Sequence, residues 1–79
     1  MTPSFYQLGK VAVIKAKIED LNKKYDHKVY NLRQEDETVY VFEVDTGDET
    51  ESALLLEVNG ELFPVSDEAY ELVSVVLGY

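Results

Sequence analysis

The stretch EVDTGDETES, residues 43–52, gathers Glu43, Asp45, Asp48, Glu49 and Glu51 around the single glycine Gly47. Carboxylates at that density can ligate a hard cation, present a negative field to a basic surface, or simply solvate a turn. A calcium loop of the EF-hand type needs acids at alternate positions before its glycine and a glutamate at its end. Gly47 comes too early for that, which leaves only weak divalent-cation binding. Thr46-Gly47-Asp48 reads as a turn between strands. Glu43 and Asp45, two apart on an extended chain, stand ~6.7 Å apart, a spacing at which a row of charge can enter a protein groove built for phosphates.

Other chemistry is scarce. The chain has no cysteine and one histidine, His27, so neither a thiolate zinc site nor a histidine cluster can form within it. Ser4 and Ser66 read as helix caps, while Ser52 and Ser74 have no neighbouring base and no nucleophile elbow. The four glycines follow no phosphate-cradling pattern. Paired carboxylates work as acid and base only when one is desolvated in a cleft, and a chain of 79 residues is too short to enclose one alone. No enzymatic activity, cofactor or metal is expected.

The charge is segregated along the chain. All seven Lys and Arg residues lie between Lys10 and Arg33, beside Glu19, Asp20 and Asp26 only, and the remaining thirteen acids follow without one cation among them. Such a field repels phosphates, so direct nucleic-acid binding is not expected. It also attracts cationic protein surfaces. Neither an export signal nor an apolar run of the ~18 residues that suggest a membrane span is found, and the expected location is cytoplasmic.

The elements that must position these groups follow from periodicity. Ser4 and Gln7 form a capping box, and Val11, Ile14, Ile18, Leu21 and Tyr25 trace one stripe of a helix of about five turns. A strand over residues 11–18 is the competing reading. HKVYNLR and TVYVFEVD read as a hairpin, with Tyr40, Phe42 and Val44 on one face and Val39, Val41, Glu43 and Asp45 on the other. ALLLEV, Asn59-Gly60 and ELFPV read as a second hairpin with a type I′ turn. Its register sets Val58 opposite Glu61, Leu56 opposite Phe63 and Leu54 opposite Val65, and Pro64 marks a short or edge strand. Ser66 then caps a second helix with Asp67 and Glu68 in its first turn, Ala69, Leu72, Val73 and Val76 facing inward, and Gly78 as its stop. A strand over residues 70–77 is again the competitor. The expected fold is α+β: a single domain, residues 1–79, with an N-terminal amphipathic helix, a four-stranded antiparallel sheet of two hairpins, and a C-terminal helix.

In charge and size the chain resembles phage-encoded inhibitors that mimic DNA. Residues 53–77, ALLLEVNGELFPVSDEAYELVSVVL, resemble the closing segment of a family of short acidic bacterial domains of unknown function, in which an acidic hairpin leads through Pro-Val-x-Asp-Glu into a last helix. That resemblance implies a small bacterial or phage domain and assigns no functional residues.

The function expected from these features is a non-enzymatic acidic interaction module, an inhibitor or DNA mimic, that binds a basic protein surface such as that of a nucleic-acid-binding protein. Glu43, Asp45, Asp48, Glu49 and Glu51 supply its field, and Tyr40, Phe42, Tyr70 and Tyr79 are its anchors where exposed. The alternatives are a structural homodimer that matches its own basic and acidic halves, and a weak divalent-cation module.

Overall fold

The computed structural model describes residues 7–78. In chain order its elements are β1 (Gly9–Lys10), α1 (Val11–Lys24), β2 (Val29–Gln34), β3 (Val39–Asp45), β4 (Thr50–Val58), β5 (Glu61–Pro64) and α2 (Asp67–Leu77). The five strands form one antiparallel sheet ordered β1-β5-β4-β3-β2. Both expected helices are therefore helices, and the strand readings over 11–18 and 70–77 fall away. The two hairpins sit as expected, with β4 flanked by β3 and β5.

The sheet has five strands rather than four, and the added one replaces the expected first turns of helix. Leu8 donates its N–H to the Leu62 carbonyl at 2.9 Å, and Gly9 and Lys10 pair with Leu62 and Glu61. Gly9 has φ 129°, a conformation that a side chain disfavours and a helix does not use. Leu8 is 2% exposed and joins the core, so burial of this side chain wins over the propensity of the segment. The helix starts at Val11, its N-cap Lys10 makes no side-chain cap, and the orphan N–H of Val11 is met by the Gly60 carbonyl at 2.9 Å. Ser4 of the expected capping box lies outside the described residues.

The Asn59-Gly60 turn forms as its sequence dictates, with φ 54° and 82°, and the register Leu56 to Phe63 and Val58 to Glu61 is the expected one. Val65 donates to the Leu54 carbonyl. Since N–H groups alternate along a strand, the N–H missing from Pro64 is one that points away from β4, beyond the two residues that β1 contributes. Ser66 Oγ accepts from the Ala69 N–H at 3.1 Å, and Gly78 closes α2 in the left-handed conformation.

The core lies between the helices and one face of the sheet. Ile14 and Ile18 of α1 and Ala69 and Val73 of α2 pack with Tyr30, Tyr40, Phe42, Val44, Ala53, Leu55 and Leu62. Both helices thus cover the same face. α1 packs against both edge strands, β1 and β2.

Candidate interaction surface

Strand pairing places every second residue of the sheet on the face away from the helices. One row there is Arg33, Val41 and Leu54, continued by Val65; the next is Val39, Leu56 and Phe63; a third pairs Val58 with Glu61 and Lys10. Leu54 is 49% exposed, Leu56 42%, Val58 52% and Val65 45%. Val39 and Phe63 are half-buried, and Val41 is covered by its neighbours. Among the described residues no element lies over this face. The other end of the same face is polar apart from Val29, with Asn31, Glu43 and Ser52 in one row and Val29, Asp45 and Thr50 in the next.

The sequence correctly sets Leu54, Leu56, Phe63 and Val65 together, but the core takes the alternate residues Ala53 and Leu55. The signal for an apolar outer face is in ALLLEV, where three consecutive leucines make both faces of one strand apolar, as in strands covered on both sides. Isolated exposed leucines are ordinary, whereas a contiguous apolar patch on a folded surface marks a contact site.

The expected acidic residues are not brought into one row. Glu43 and Asp45 project from β3 onto the polar end of the outer face. Glu43 is engaged there by the Arg33 guanidinium at 3.5 Å and by Asn31 Nδ2 at 3.4 Å. Asp45 Oδ1 accepts from the Gly47 N–H at 2.8 Å, closing the turn, and Thr46 Oγ1 donates to the Glu49 carbonyl. Asp48 and Glu49 are exposed in that turn, and Glu51 pairs with Val44, which turns it toward the helix side. Glu35, Asp36 and Glu37 occupy the β2–β3 loop at the opposite end of the sheet, and Asp67, Glu68 and Glu71 belong to α2. Arg33 also pairs with Glu35, and the Glu35 carboxylate, through its hydrogen bond and charge, holds the guanidinium pKa above its ordinary value, with Glu43 adding to the effect.

Two of the expected aromatic anchors are overturned. Tyr40 is 7% exposed and Phe42 is fully buried, because their face of β3 is the one the helices cover. Tyr70 is half-buried against the core, and Tyr79 lies outside the described residues. Lys17 and Lys24 line a crevice with Asp20, Val76 and Leu77 between the helices, on the far side of the sheet from the open face, whereas Lys10 stands in register with Glu61.

Among the described residues no three His, Asp or Glu side chains converge on one metal position, and no helix is long and apolar enough to cross a membrane. Comparison with family models, curated proteins and solved structures finds no match to this chain.

Proposed function

We propose that this chain is a non-enzymatic acidic interaction module that seats a partner protein on the open face of its sheet. The observation that carries the reading is the contiguous run of Leu54, Leu56, Val58, Phe63 and Val65 away from both helices. Covering a half-exposed leucine or valine is worth on the order of 1–2 kcal/mol before the cost of association. The carboxylates around the sheet favour a partner whose apolar contact surface is bordered by Lys and Arg, and they act at long range on its approach. A continuous imitation of a phosphate backbone is the less favoured form of this proposal, because the acids stand at opposite ends of the sheet and Glu43 is already engaged by Arg33.

Affinity capture tests it, with wild type and Leu56→Lys as baits at low salt and at 1 M salt. A partner held by wild type, weakened but not released by salt, and lost with Leu56→Lys is the expected result. Partners held equally by both baits overturn it.

A second copy of the chain is the other reading of the same face, favoured by the opposite charges of Arg33, Lys10, Glu43 and Glu61 around it. Sedimentation separates the two. A dimer at micromolar concentration that Leu56→Lys dissociates assigns the face to self-association, and a monomer removes that reading.

A further inference from the structure

β2 is the last strand of the sheet and pairs only with β3. Its main-chain groups alternate. The Tyr30 N–H and C=O point outward, where the Asn22 side chain takes both, whereas the Glu35 N–H points inward to the Val39 carbonyl at 2.8 Å. Leu32 and Gln34 therefore direct their N–H and C=O groups outward like Tyr30. Among the described residues these groups have no partner.

Beside Tyr30 and Leu32, and short of Gln34, runs a groove of about 440 Å³ between α1 and the strand, lined by Ala12, Lys15, Ala16 and Glu19 on one wall and Tyr30 and Leu32 on the other. Small side chains at Ala12 and Ala16 leave the width that a larger pair would fill. Most sheet edges are covered, charged or broken to prevent strand addition. Here the device covers one position, Tyr30, and stops.

We propose that this groove binds an extended segment of a partner polypeptide, which adds to β2 as a further strand through the main chain of Leu32 and Gln34. Alternate side chains of the segment turn toward Ala12, Ala16 and Leu32, a space suited to valine or isoleucine. An Asp or Glu of the segment meets Lys15. The pairing requirement supports this occupant: the outward N–H and C=O groups of Leu32 and Gln34 match the main chain of an extended segment, and Lys15 is the cation of the groove wall. Glu19 lies one turn from Lys15 on the same wall and tempers the attraction of an acid there. Main-chain pairing supplies affinity and the alternating pockets supply selectivity, as in other cases of strand addition. This surface is distinct from the open face of the sheet.

The test pans a random dodecapeptide library displayed on phage against the intact chain. Selected peptides with alternating apolar residues and an acid are expected. Gln34→Pro removes the outward N–H and leaves the β3 ladder intact, and it should weaken their binding about tenfold; Ala16→Leu narrows the groove and should do the same. Leu56→Lys, on the other face, should have no effect. Amide exchange on the wild-type chain gives a second measure: Leu32 and Gln34 exchange freely without peptide and are protected with it, which holds even where a variant fails to fold. The proposal is overturned by a selection without enrichment, by peptides indifferent to both groove variants, by amides already protected in the free chain, or by a self-associated chain that buries this edge.

Discussion

The side-chain amide of Asn22 bonds both main-chain groups of Tyr30, donating to its carbonyl and accepting from its N–H, each at 2.8 Å. An amide in that position does what a neighbouring strand would do for one residue, and it fixes the end of α1 to the edge of the sheet. Asn22→Leu leaves both groups facing an apolar side chain and should cost about 1–3 kcal/mol. Asn22→Asp keeps the acceptor, loses the donor, and should cost less. Urea unfolding of the three proteins checks the order; an Asn22→Leu variant within 0.5 kcal/mol of wild type, a threshold set at about the scatter of surface substitutions, would show the clamp to be incidental.

Leu54, Leu55 and Leu56 are neighbours in sequence with opposite roles. Leu55 is fully buried under the helices, and Leu54 and Leu56 stand on the open face. Leu55→Ala should destabilise the fold by roughly 2–5 kcal/mol, whereas Leu54→Ser or Leu56→Lys should change stability by less than about 1 kcal/mol and remove partner capture. Thermal unfolding alongside capture separates the two effects. A large loss of stability from Leu56→Lys would mean that this face is covered in the free chain.

Gly60 holds φ 82° with open space around the position of a Cβ, so a substitution there is resisted by backbone conformation alone. Gly60→Ala should cost roughly 1–2 kcal/mol. Because the Gly60 carbonyl receives the first N–H of α1, amide exchange at Val11 should accelerate with it. A stable variant with an unchanged Val11 amide would disconnect the turn from the helix start.

Much of this fold was legible because local signals agreed with one another. Asn59-Gly60 could be only a tight turn, Ser66 with Asp67 and Glu68 only a helix start, and Val11, Ile14, Ile18 and Leu21 share a period that no strand has. β1 was not legible: two residues carry no period, and what settles them is the burial of Leu8 against Leu62, a contact across more than fifty positions. Alternation sets Glu43 and Asp45 on one face of β3 and Tyr40 and Phe42 on the other, yet alternation alone does not say which face the helices cover. That choice buried Tyr40 and Phe42 and exposed Leu54, Leu56 and Val65. The Asn22 clamp joins two elements through a polar residue on a helix, a position where Asn is ordinarily solvated, so nothing in its immediate sequence marks it.

Arg33 sits where the apolar and polar ends of the open face meet, between Glu35 and Glu43. Its pKa is raised by those carboxylates, so the favourable contribution is present below the unfolded-state value of arginine and is lost only as pH rises beyond it; the pair therefore keeps its cation throughout the neutral and mildly alkaline range. Replacing it changes the field directly. Arg33→Gln frees Glu43 and makes the face more negative by one charge, so a cationic partner should bind more tightly and its affinity should fall more steeply with salt. Titration of the captured partner at two ionic strengths measures both quantities. Weaker binding with an unchanged salt dependence would show instead that the guanidinium itself contacts the partner, and that recognition at this boundary rests on hydrogen bonding rather than on the surrounding carboxylates.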